Sequence, residues 1–418
     1  MPSDAEPFLQ RIRAFPDDDS QRLIFADWLE EQGGTGTARA AFIRVQVALA
    51  GMADDDPRRP GLLVAESDLL ATHKSEWEAP VRGLATGPVF RRGFIDEVKV
   101  AARPFLRHAD ELFAAGPIRH IHLLDLGQSL AAVMESPFLG RLTALTVFAQ
   151  HAGEPLARSI ARCPHLGGLL SLNLSRNRLE DDAARHLAGS EFLSNLVELD
   201  LSENELTESG GRALAASMHL GNVKRLELRH NPLGPGGAEA LAGSERLAGI
   251  ERLGLAGTEI GVPRLHALTR VTDLLRIPAL DLTGNRLGPN GLRAILNRPS
   301  RADAPPVRLR ELDLSHNELG EAGTRVLAEC PALKDLQVLR LAGCGVTDAA
   351  AQSLAHSPHL NRLTTLDLAN NPVNDPGLRP FGDPQRLRSL RKLTVPLGVS
   401  PWMQGALEQR FQRAVMRN

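Results

Sequence analysis

The feature that most constrains this chain is a step of 27 residues. "LLSLNLSRNRL" begins at 169, "LVELDLSENEL" at 196 and "VKRLELRHNPL" at 223. The same frame returns as "IERLGLAGTEI" at 250, "IPALDLTGNRL" at 277, "LRELDLSHNEL" at 309, "LQVLRLAGCGV" at 336 and "LTTLDLANNPV" at 363. From 277 to 309 the interval is 32 residues, and the surplus falls in the Pro-rich "RPSRADAPPVR". Weaker copies start at 142 and 390, with degenerate ones from Ile118 and Phe94. A unit this short cannot bury an apolar face by itself, so the copies must stack on one another. The length of 418 residues suits such an array better than one closed core.

Alternating leucines in each copy point to one face, which predicts a short strand buried on one side. Where each strand ends stands Asn177, Asn204, Asn231, Asn285, Asn317 or Asn371. An amide there is predicted to satisfy buried backbone groups and join one copy to the next. Thr258 and Cys344 fill the column in two copies, and Cys344 is read as structural rather than reactive. Three residues on, the column Glu180, Thr207, Gly234, Gly261, Gly288, Gly320, Thr347 and Asn374 predicts helix starts. Small residues and then a leucine or isoleucine, from Leu187 to Leu354, predict a helix lying close on the strands. Arg264 breaks the small column, so an irregular helix is expected there. "SPWMQGALEQRFQRAVM" places Met403, Leu407, Phe411 and Ala414 on one face of a closing helix, with Trp402 expected to pack.

These copies resemble leucine-rich repeats, with the pattern LxxLxLxx[N/C]xL, and especially the long subtype of ribonuclease inhibitors and Ran GTPase-activating proteins. The resemblance implies an α/β solenoid, a horseshoe with parallel strands inside and helices outside. Ahead of it, "FLQRIRAFPDDDSQRLIFADWLEEQGG" and "FIRVQVALA" predict three short helices burying Phe8, Ile12, Phe15, Leu23, Ile24, Phe25, Trp28, Leu29, Phe42, Ile43, Val47 and Leu49. This stretch is similar to the short bacterial repeat-companion domain, from which it departs at Ala41 and Gly34. The expected organisation is a small all-α companion domain over 1–52, a helical transition and cap over 53–93, the repeat solenoid over 94–398 and a capping helix over 399–418.

The acidic run Asp17 to Asp19 is read as capping the second helix. Asp27 and Glu31 share a helical face, as a metal or acid-base pair would. An Asp27 to Arg44 ion pair on a half-buried helix is the simpler reading, because no His or Cys stands at ligand spacing. No phosphate loop, zinc-protease motif or nucleophile elbow occurs in the sequence. No catalytic residue, metal or cofactor is expected, and hence no enzyme. A net charge of -2 gives no attraction to nucleic acid or anionic membrane. "MPSDAEPFLQ" reads as no secretory leader and the three cysteines have no zinc-site spacing, so the cytoplasm is the expected location.

The expected function is a monomeric protein–protein interaction scaffold. Its partner, a protein of unstated identity, would dock on the concave strand face at Glu198, Asp200, Arg225, Glu227, Arg229, Arg252, Asp281, Glu311, Asp313, Arg340 and Asp367. The resemblance also implies an alternative, a GTPase-activating or enzyme-inhibitor protein of the Ran-activator or ribonuclease-inhibitor type.

Overall fold

A computed structural model of the chain describes residues 3–54, 56–261, 271–296, 306–411 and 415–416. It forms two compact units, Met1–Gln150 with Cys163–Asn173, and His151–Arg162 with Leu174–Asn418.

The first unit opens with helices α1 (Glu6–Ala14), α2 (Asp19–Gln32), α3 (Thr35–Ala50) and α4 (Arg59–Trp77). Asp18 caps α2 by accepting the Ser20 amide at 2.9 Å, and Gly33 ends it with a positive φ. The rest of the acidic run does more than favour the helix end: Asp17 meets Arg119 at 2.7 Å and Asp19 meets Arg92 at 3.1 Å. Ile12, Phe25, Ala26, Leu29, Ala40, Ile43 and Phe94 make the buried core. Phe15, Leu23 and Ile24 were expected inside but are exposed, because the neighbouring elements cover only one narrow side of α1 and α2. Arg22, Arg39 and Gln46 are buried in their place.

A hairpin, β1 (Thr86–Arg91) and β2 (Phe94–Ala101), follows α4. Its two turn residues, Arg92 and Gly93, both have positive φ, the geometry that suits a tight antiparallel turn. A side chain at Gly93 would overlap Ile43, so glycine lets the turn press onto α3. Gln46 fixes that contact, accepting the Gly93 amide at 2.6 Å and donating to the Phe90 carbonyl at 3.2 Å. From β2 onward the strands β3 (His120–Leu124), β4 (Ala144–Thr146) and β5 (Ser171–Asn173) pair in parallel and in chain order. Val98 lies opposite Ile121, so the first degenerate copy leads with Ile95 rather than Phe94.

In the second unit, β6 (Glu198–Asp200), β7 (Arg225–Glu227), β8 (Arg252–Gly254), β9 (Ala279–Asp281), β10 (Glu311–Asp313), β11 (Val338–Arg340), β12 (Thr365–Asp367), β13 (Lys392–Thr394) and β14 (Val415–Met416) are parallel neighbours in sequence order. The fold class read from the repeat is therefore the observed one: strands stack copy on copy, with an α-helix between successive strands except from β8 to β9, where the helix among the described residues is a short 3-10 one, Val271–Arg276. Leu280 pairs with Leu312 across the long interval, so the extra residues leave the strand register intact. Arg264, Leu268 and Ala304 lie outside the described residues.

The asparagine column is a buried ladder. Asn204 Oδ1 accepts the amides of Asn177 at 2.8 Å and Leu179 at 3.0 Å, while its Nδ2 donates to the carbonyls of Leu174 and Leu201. Asn231, Asn285, Asn317 and Asn371 repeat this across their own junctions. Thr258 donates to the Leu255 carbonyl of its own copy and Cys344 to the Leu314 carbonyl of the copy before, but neither takes the preceding leucine amide. That amide turns to its own asparagine carbonyl instead, Leu233 to Asn231 and Leu319 to Asn317. In those two copies the next residue is Gly234 or Gly320 with positive φ, and its amide reaches the carbonyl of Thr258 or Cys344. Glycine recurs there because the altered turn needs a conformation costly for other residues.

A second ladder escaped the sequence reading. Ser190, Ser217, Ser244 and Ser357 are buried, and each hydroxyl donates to a carbonyl 29 residues earlier. Cys163 and Cys330 fall in the same column, and the Cys163 thiol donates to Met134. All three cysteines are buried, and burial pushes each thiol up, Cys344 to about 11. In the closing helix Met403, Leu407 and Phe411 are buried, as the pattern predicts, and Ala414 lies outside the described residues. Trp402, expected to pack, is 68% exposed because it points away from that face.

Candidate functional site

Flanking the buried leucines of the second unit, the outer residues of β6, β7, β9, β10, β11 and β12 are exposed or half-buried, whereas Gly254 on β8 and Thr394 on β13 are buried. β6, β10 and β12 each read half-buried, buried, half-buried, and on β7 and β8 the first residue, an arginine, is exposed. The eleven residues expected to face a partner are thus on one strand face or just past its end. They divide into two kinds by what they touch.

The aspartates are partly occupied by the backbone. Asp200, Asp281, Asp313 and Asp367 each accept the amide two residues on, at 2.9 to 3.0 Å. This closes a side-chain turn at the strand exit. Aspartate in "LDLS" therefore has a structural task, beyond being soluble, and its reversal to lysine would disturb the turn as well as the charge. The sequence reading named these aspartates only as docking residues. The missing signal was the small or hydroxyl residue two places later.

The glutamates and arginines instead pair from strand to strand. Arg225 contacts Glu198. Glu227 is approached by Arg229 at 3.4 Å and by Arg252 at 3.3 Å, and Arg252 also lies 3.9 Å from Glu311. Gly254 makes the centre of this cluster possible. A side chain there would collide with the Glu227 carboxylate, which lies across the bare glycine. Burial raises the Glu227 pKa, against the opposing pull of Arg229 and Arg252. Arg340 lies in register between Asp313 and Asp367. The row is consequently of mixed sign, with Arg225, Arg229 and Arg252 its most solvent-exposed charges.

Arg44, in the first unit, donates to Asp27 at 2.7 Å and to Glu30 at 2.6 Å. The contact is at the surface, with Asp27 67% exposed and Arg44 37%, so the half-buried setting expected for it is incorrect. The exposed faces of α2 and α3 meet there, outside the aromatic core. Such a pair contributes on the order of 0.5 kcal/mol.

No curated protein matches the chain in sequence. Among solved structures, one of the yeast Rad7 and Elc1 complex is similar at 16% identity and a TM-score of 0.50, covering 94% of this chain and 94% of that one. An internalin (inlF) from Listeria monocytogenes is similar at 16% identity and a TM-score of 0.34, covering 70% of this chain and 94% of that one. The leucine-rich repeat family matches residues 192–215, 219–242, 279–296, 309–328, 332–355 and 359–382. Each of those segments carries the strand, turn and helix of one copy, and these parts of the chain are leucine-rich repeats.

Proposed function

We propose that this chain is a non-catalytic interaction scaffold whose protein partner docks on the strand face from Glu198 to Asp367. The observation carrying the reading is the exposed, mixed-sign row on rigid strands, centred on Arg225, Glu227 and Arg252. Charged groups arranged on a fixed surface confer specificity and orientation on an encounter. The similar yeast structure is of a protein complex, which agrees with this role. The ribonuclease-inhibitor-like subtype, the bacterial companion domain, the four-part division at 52, 93 and 398, the monomeric state and the cytoplasmic location belong to the same proposal.

The test compares affinity capture by the wild-type chain with capture by an Arg225→Glu, Arg252→Glu variant. An Asp200→Asn chain, which keeps the acceptor oxygen, serves as control. A partner lost from the double variant and kept by the control supports docking on this face. An identical set of captured proteins from all three chains removes it. Stimulated GTP hydrolysis by a captured GTPase would favour the Ran-activator alternative over a passive scaffold.

A further inference from the structure

Glu97, His120 and His122 are brought together in the first unit by strand pairing alone. Glu97 is opposite His120 in the register of β2 and β3, and His122 follows two residues later on the same face. Their donor atoms all lie within 4.8 Å of one another, the one group of three or more such ligands among the described residues. Glu97 Oε1 is 2.7 Å from His122 Nε2, and Oε2 is 3.2 Å from His120 Nδ1. The two rings stack at 4.5 Å between centroids.

We propose that these three side chains form a binding site for one zinc ion, with the fourth coordination position left to solvent or to a ligand from outside the chain. Two imidazoles and a carboxylate are a donor set that zinc accepts in tetrahedral geometry, with bonds of about 2.0–2.2 Å. Such bonds place neighbouring donors about 3.3 Å apart; the Glu97 to His122 contact at 2.7 Å would open toward that value, the Glu97 to His120 contact at 3.2 Å is already near it, and all three donors start within 4.8 Å of one another. The side chains are 15 to 23% exposed, reachable by an ion yet held in place.

Two further contacts separate this group from a chance surface triad. His120 Nε2, the nitrogen turned away from Glu97, lies 2.9 Å from the Thr146 hydroxyl on β4. A hydrogen bond from that nitrogen would fix the ring with Nδ1 free to ligate, the outer support that metal-binding histidines regularly have. Arg91 holds Glu97 Oε2 from the other side at 3.2 Å, leaving Oε1 for the ion. The competing arrangement is a hydrogen-bonded triad that needs no cation. In that case zinc gains little over the protons it displaces from the imidazoles.

The full chain, stripped with a chelator, is titrated with zinc against a chromogenic chelator, and cobalt is substituted as a spectroscopic probe. One equivalent should bind, with cobalt giving the intense visible bands of a tetrahedral site. His122→Gln should weaken binding by about 100-fold or more, and Thr146→Val by about 10-fold. Absence of stoichiometric binding by the wild type overturns the site. So does equal binding by a His120→Gln, His122→Gln double variant, since the remaining histidines would then account for it. Should the double variant fold poorly, the Thr146→Val affinity and the cobalt spectrum of the wild type still decide.

Discussion

The second unit buries one amide at junction after junction, whereas the first, beside the amide of Gln46, also buries a cation on aromatic faces. In the second, Asn204, Asn231, Asn285 and Asn317 are at most 6% exposed, and both amide atoms of each find backbone partners across a repeat junction. In the first, Arg39 is 7% exposed with its Nε and Nη1 unpartnered. Its guanidinium lies 4.8 Å above the Trp77 ring and within 6 Å of Phe42, Phe90 and Phe94. Burial pushes its pKa down from the usual guanidinium value. It borders a hollow of about 680 Å³ shared by Leu9, Trp28, Leu29, Trp77, Phe94 and Ile95. A repeated fold presents the same orphaned backbone groups at every junction, so a small amide solves the problem once and is reused. A single-copy helical core has no such recurring geometry, and there a cation rests on aromatic faces.

The sharpest way to break the contrast is to remove one rung of the ladder. Asn204→Ala strands the amides of Asn177 and Leu179, while the carbonyls of Leu174 and Leu201 keep a donor each from Asn177 and Asn231. It should cost about 3 kcal/mol in urea unfolding. A loss below about 1 kcal/mol would mean that water or a shifted turn replaces the amide.

Arg39→Met probes the other side of the comparison. The thioether fills similar space without the desolvation cost, so stability should stay within about 1 kcal/mol of wild type or rise. A loss as large as that from Asn204→Ala would show that stacking on Trp77 outweighs burying the charge, and the two strategies would then be equally committed.

The smallest effect concerns the acidic run. The Arg119 hydrogen bond holds the Asp17 carboxyl below its usual range, against a weaker opposing effect of burial. The folded state therefore binds fewer protons there than the unfolded chain as pH falls through the carboxylate range. The contribution is present above the unfolded pKa and lost on acidification through the folded one. Because Asp17 is largely exposed, Asp17→Asn should remove only about 0.5 kcal/mol of the fall in stability between neutral and acid pH. Identical pH profiles for variant and wild type would leave the helix cap at Asp18 and the pairing of Asp19 with Arg92 as the functions of the run.

Much of the second unit is legible residue by residue. Leu199, Leu226 and Leu253 announce strands through alternation, and Asn204 and Asn231 announce the turns, because both signals lie within one copy. The capping carboxylates were half legible. Asp181 and Asp348 stand at a helix's first position as expected, yet each also accepts an amide of the following copy, from Thr207 or Asn374. The zinc candidate escaped because its strands do not keep the 27-residue step. From Val98 to Ile121 is 23 residues and from Ile121 to Leu145 is 24, so the repeat frame never aligns Glu97 with His120.

Periodicity along the chain by itself settled the strand-and-helix unit, its parallel stacking and the buried amide at each junction, since those follow from local alternation and from backbone groups that must be paired. Apart from Asp27 with Arg44, whose pairing the sequence announces, tertiary structure decided which charges meet. Glu227 finds Arg252 over a bare Gly254, Asp17 finds Arg119, and Glu97 finds two histidines. Long side chains choose partners by distances across strands and loops, and no single copy of the repeat encodes those distances.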